Sequence, residues 1–122
     1  MMAEEKEKTA EEVKRLIPPV DIYETENNVM LIADIPGVTK ENLQVDIEND
    51  ELTISGLFLE PKIDSGKKLI NECYYGKYTR TFTLSDVIAQ DKITAKLDDG
   101  VLTVTLPKQE KAKPKKITIS TE

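Results

Sequence analysis

The strongest constraint on what this chain can fold into is a strict apolar/polar alternation, interrupted by very short polar turns. Leu43, Val45 and Ile47 alternate with Gln44, Asp46 and Glu48; Asn49-Asp50 follows, and Leu52-Thr53-Ile54-Ser55-Gly56 resumes the pattern. A period of two sends successive side chains to opposite faces of a strand, and an Asn-Asp pair tolerates the left-handed backbone of a tight hairpin. The grammar returns later as Ile93-Thr94-Ala95-Lys96-Leu97, a turn at Asp98-Asp99-Gly100, and then Val101 to Leu106. Val20 to Glu24 reads as another short strand, and Tyr78 to Leu84 as a longer one. Val29 to Ile35 is nearly continuous in apolar residues, which predicts a strand covered on both faces. Short strands with turns at intervals of about eight to twelve residues predict an all-β fold, an antiparallel β-sandwich.

Length and charge narrow the function. The chain has 122 residues, enough for one domain with a modest core. No apolar run approaches the roughly 18 residues of a membrane span. The opening residues MMAEEKEKTAEE lack the apolar stretch of a signal peptide, and Cys73 is the single cysteine, so a cytoplasmic protein without disulfides is expected. The net charge is -6, but Pro107 to Lys116 carries +4, which leaves -10 on everything else. An acidic body is poorly matched to nucleic acid, which selects a basic face.

Histidine is absent, which removes Ser-His-Asp and Cys-His nucleophile activation and every zinc site that needs imidazole. Ser65-Gly66-Lys67-Lys68 is a poor phosphate loop, because Pro61 stands at the first glycine position and Lys68 replaces Ser/Thr. A hydrolase would have to rest on Asp46, Glu48, Asp50, Asp98 and Asp99, which fall at solvent-facing or turn positions. No enzyme, cofactor or metal is expected.

The two ends differ from the body. Thr9-Ala10-Glu11-Glu12 has the form of a capping box, and Val13, Leu16 and Ile17 share a helical face before Pro18-Pro19, predicting a short amphipathic helix. At the other end, Pro107 to Lys116 (PKQEKAKPKK) has no apolar residue larger than alanine or proline, and is expected to stay extended and mobile. Beyond it stands Ile117-Thr118-Ile119. This triplet is either the last edge strand of its own sheet or a plug for a groove on another chain.

Two internal features stand out. Leu57 to Gly76 is long for a connection in so small a domain, and Lys68 to Glu72 within it could form a strand that pairs elsewhere. Arg80 shares strand parity with Tyr78, Phe82 and Leu84, so a guanidinium interrupts an apolar row. It must lie at an edge or meet carboxylates, since an unpaired buried charge is costly.

These residues resemble the small heat-shock proteins with the alpha-crystallin domain. The similarity runs from about Pro19 to Pro107 and resumes at Ile117-Thr118-Ile119. Ala33 to Leu43 (ADIPGVTKENL) matches the family's D-x-P-G segment, followed by the strand Leu52 to Gly56. Gly76 to Leu84 matches G-k-F-x-R-x-F-x-L, and Ala95 to Leu102 matches A-x-x-x-x-G-V-L, including Gly100. The resemblance implies an immunoglobulin-like sandwich over 19–107, a short N-terminal arm over 1–18 and a flexible C-terminal extension over 108–122. It also implies an ATP-independent holdase that keeps unfolding client proteins soluble, and a homodimer formed by exchanging the strand around Leu69, Ile70 and Glu72, with Arg80 at the interface. Higher homo-oligomers would form when Ile117 and Ile119 dock between Leu43/Val45/Ile47 and Ile93/Ala95/Leu97 of another chain.

The chain departs from the family in Glu72-Cys73, where Glu-Arg is usual, in Leu84-Ser85, where Leu-Pro is usual, and in its short N-terminal arm without Phe or Trp. The last departure leaves as an alternative a specialised assembly subunit with little holdase activity, including co-assembly with a second, longer small heat-shock protein; a co-chaperone of the related CS-domain type is the other alternative, against which the long strand-bearing loop and the Ile117-Thr118-Ile119 ending argue.

Overall fold

The computed structural model describes residues 14–112 and 117–120. Eight strands occupy Arg15–Leu16 (β1), Val20–Glu24 (β2), Asn28–Asp34 (β3), Leu43–Glu48 (β4), Glu51–Phe58 (β5), Gly76–Thr83 (β6), Thr94–Asp98 (β7) and Val101–Pro107 (β8). They form two four-stranded sheets, in the orders β1-β6-β5-β4 and β2-β3-β8-β7. The described residues contain no helix longer than a single 3-10 turn, as at Lys40–Asn42 and Gln90–Lys92.

Both expected hairpins are present. Glu48 pairs with Glu51, which leaves Asn49 and Asp50 as the turn at φ 52° and 64°. Asp98 pairs with Val101, and Asp99 and Gly100 turn at φ 49° and 79°. Positive φ at both central residues matches the right-handed twist of the flanking strands. Gly100 is doubly constrained, because a Cβ there would lie 2.9 Å from Pro36 Cα, and its carbonyl accepts the Ile35 N–H at 2.7 Å.

Alternation then builds the core. Ile54 and Leu52 on β5 and Leu102, Val104 and Leu106 on β8 point between the sheets with Leu31, Ala33 and Ile35, and all are buried. The β3 run behaves differently from its reading. Leu31 and Ala33 are buried, whereas Met30 and Ile32 on the outer face are only partly covered, because no further layer packs there.

The expected N-terminal helix is corrected where it can be followed. Its capping box lies outside the described residues, but Arg15–Leu16 is extended and pairs in parallel with Lys77 and Tyr78 of β6. The unpaired edge of β6 supplies the reason: the Lys77 N–H donates to the Lys14 carbonyl at 2.8 Å. Inter-strand bonding there outcompetes a helix too short to be stable alone.

Candidate functional site

Each sheet of the sandwich ends on strands with unsatisfied edges, and the two layers are open on both sides. One opening lies between β4 and β7. On β4, Leu43, Val45 and Ile47 stand opposite Gly56, Ile54 and Leu52, so their side chains face the core. On β7, Ala95 and Leu97 stand opposite Val104 and Leu102 and face it too. No strand flanks either edge, so apolar side chains remain partly uncovered. Leu43, Ala95, Leu97 and Leu102, together with Lys40 and Lys96, line a cleft of about 280 Å³.

The structure thus brings together Leu43, Ala95 and Leu97 of the expected groove. Val45 and Ile93, which pack against the core as Leu43 and Leu97 also do, lie outside the cleft lining, and so does Ile47, further along β4 and partly exposed. Ile93 precedes β7 rather than belonging to it. Sequence reasoning missed Lys40 and Leu102. Leu102 was legible as a core residue, but only the hairpin register places it beneath the Leu97 edge.

The second opening, which the sequence did not reveal, lies between β2 and β6. Ile22, Val29, Leu31, Phe82, Leu84 and Leu106 are among the residues lining a cleft of about 350 Å³ there. Ile22 pairs with Leu31 and so faces inward, yet it is exposed because nothing continues the sheet beyond β2. Parity along Val20, Ile22 and Glu24 was the available signal.

Arg80 stands on this side. It pairs across with Ile54, so it occupies the inward row of β6, as its parity predicted. Its guanidinium lies 4.9 Å from the centre of the Phe82 ring and donates from Nη1 to the Pro18 carbonyl at 3.3 Å. Among the described residues it forms no ion pair. In the same row, burial raises the Tyr78 hydroxyl pKa, and the charge of Asp34 adds to the shift.

Leu57 and Phe58 continue β5, and the rest of the long connection to β6 contains no strand in this single chain. Leu69 and Ile70 project from it at 86% and 74% exposure, Glu72 and Cys73 are exposed, and Lys68 pairs with Glu60. Residues 117–120 belong to neither sheet, and Ile117 and Ile119 are 83% and 85% exposed.

The root of the C-terminal extension corrects another expectation. Lys108 and Gln109 are held in place rather than mobile. Lys108 Nζ lies 2.7 Å from Glu24 Oε2 and donates to the Thr25 carbonyl at 2.9 Å, and its N–H reaches the Asn27 carbonyl at 2.9 Å. Gln109 donates its N–H to Val87 at 2.7 Å and its side-chain amide to the carbonyls of Asp86 at 2.8 Å and Ile88 at 3.4 Å. The hydrogen bond from Lys108, and then its charge, hold the Glu24 pKa below the usual carboxylate value. Composition alone could not show these partners.

Among the described residues no group of three His, Cys, Asp or Glu side chains could hold a metal, and no helix is long and apolar enough to cross a membrane. Two open-edged four-stranded sheets, antiparallel except for β1 beside β6, are the arrangement expected of an alpha-crystallin-type sandwich. Comparison with known proteins agrees: the model of the Hsp20/alpha crystallin family matches residues 21–120. The chain belongs to that family, the small heat shock proteins, which are in general non-enzymatic chaperones of the stress response.

It is 44% identical over 112 residues to the "Probable 15 kDa heat shock protein" of Leptospira interrogans, covering 92% of this chain and 85% of the relative. Among solved structures it is similar to heat shock protein 16.0 from Schizosaccharomyces pombe, at 38% identity and a TM-score of 0.72, covering 86% of this chain and 99% of that one. A small heat-shock protein from Xylella fastidiosa, described as having a distinct high order structure, gives 31% identity and a TM-score of 0.68 over 88% of this chain and 100% of that one.

Proposed function

We propose that this protein is an ATP-independent holdase of the cytoplasm, built from strand-exchanged dimers that assemble further through Ile117 and Ile119. The observation that carries the reading is a match of unmet surfaces. The sandwich leaves an apolar cleft at the β4/β7 edges, and the chain carries two exposed isoleucines on a polar tether. An extended segment that adds its apolar side chains to an open sheet edge meets both needs.

The β2 edge supports the dimer in the same way. Ile22 and Tyr23 are exposed along it, and the loop of a second copy offers Leu69 and Ile70. Glu72 of that copy would supply the anion that Arg80 does not meet among the described residues. Client binding then uses the same physics, because unfolding proteins expose extended apolar segments suited to either cleft when it is vacated. Reversible docking keeps those clefts available without nucleotide.

The test is suppression of aggregation. Heated client protein should stay in solution in the presence of this chain without ATP. No suppression at several-fold molar excess would refute the holdase and favour the alternative of a specialised assembly subunit.

A further inference from the structure

Lys108 is treated by the fold unlike a tether lysine. Its side chain is 10% exposed, whereas its partner Glu24 is 69% exposed. Lysines are rarely so covered unless they are paired. The contacts converge from two directions: the β2–β3 turn holds Lys108 through Glu24, Thr25 and Asn27, and the segment after β6 holds Gln109 through Asp86, Val87 and Ile88. Ala89 adds an N–H bond to the Pro107 carbonyl at 2.8 Å.

We propose that Lys108 is a positioning residue for assembly, whose ion pair with Glu24 fixes the root and exit direction of the C-terminal extension relative to the β2 edge. This rests on the docking reading above. Glu24 ends β2, the edge at which a second copy is proposed to pair, so the clamp ties the direction of the extension to the dimer rather than to one chain alone. With the clamp closed, seven residues, 110–116, separate the fixed root from Ile117 and span at most about 25 Å. With it open, 108 and 109 join them, and the span grows to about 32 Å with no preferred direction. A longer, undirected linker reaches grooves in more geometries, and effective concentration at any one groove falls. The clamp therefore selects a narrow set of assemblies.

Native mass spectrometry of full-length protein tests this with Lys108→Met, Lys108→Arg and Glu24→Gln. Lys108→Met leaves the sandwich core and its strand pairing untouched, so the fold and dimer should persist while 108 and 109, without the ion pair, release from the β2–β3 turn more readily. The distribution of subunit numbers should broaden about twofold or more as linker geometry loosens. Glu24→Gln should broaden it similarly, the double variant should be no worse than either single one, and Lys108→Arg should restore the narrow distribution, since a guanidinium can reach both Glu24 and the Thr25 carbonyl. A wild-type distribution in Lys108→Met overturns the inference. If Ile117→Ala with Ile119→Ala also leaves the mass unchanged, the docking reading itself has failed. If that variant falls apart while Lys108→Met does not broaden, only the clamp has failed.

Discussion

A peptide of residues 111–122, added to the full-length Ile117→Ala/Ile119→Ala variant, should bind the vacated β4/β7 cleft in trans. Ile117 and Ile119 are almost fully exposed in the single chain, and burying each side chain stabilises by roughly 1.5–3 kcal/mol, or about 3–6 kcal/mol together. Association and ordering of the segment offset several kcal/mol, and main-chain bonds to a strand edge return part of that. The net should fall near the roughly 4 kcal/mol of a millimolar complex. Replacing one isoleucine by alanine should weaken binding about ten- to a hundredfold, and replacing both should abolish it. NMR titration would read this directly, with shifts centred on Leu43, Ala95, Leu97 and Leu102. Shifts confined to Ile22, Phe82 and Leu84, or none at millimolar peptide, would refute the reasoning, because the exposed isoleucines would then not fit the cleft assigned to them.

Further outcomes follow from the same structure. Leu102→Ala, at a fully buried position beneath the cleft, should lower thermal or chemical stability by about 2–5 kcal/mol, as measured by denaturant unfolding. Gly100→Ala should cost about 1–3 kcal/mol in the same assay, because φ is 79° and the added Cβ approaches Pro36. Arg80→Ala should weaken the dimer, shown by a rising monomer fraction on dilution in analytical ultracentrifugation; unchanged dissociation would remove Arg80 from the interface.

The Glu24–Lys108 contact should depend on pH in one direction. The Glu24 pKa is lowered in the fold, so the contact contributes fully above the ordinary carboxylate range and is lost as pH falls from that range through the lowered value. The assembly distribution should therefore be constant from neutral pH down to about pH 5 and broaden only in more acidic buffer, as read by native mass.

Alternation and turn chemistry made most of the sandwich legible. Leu43 to Gly56 and Ile93 to Leu106 state their strand period, their turn and their inward face in adjacent residues. What escaped depends on contacts far along the chain. The β1 strand was hidden because Val13, Leu16 and Ile17 fit a helical face, while the open N–H of Lys77 that captures Lys14 lies more than sixty residues away. The fixed root at Lys108 was hidden because its lysine- and proline-rich surroundings read as solvated chain, and Glu24 and Asn27 meet it only once β8 pairs with β3. Of the groove, Leu43, Ala95 and Leu97 were recoverable from parity. That Val45 and Ile93 fall outside the cleft lining depends on how the two sheets stack, which no local pattern records.

The central claim is that two exposed isoleucines join dimers through the β4/β7 cleft. Its most direct test is the mass of the full-length protein by light scattering coupled to size exclusion, with and without Ile117→Ala/Ile119→Ala. The account predicts assemblies larger than a dimer for the wild type, and folded dimers for the double variant. An unchanged mass in the double variant would contradict it.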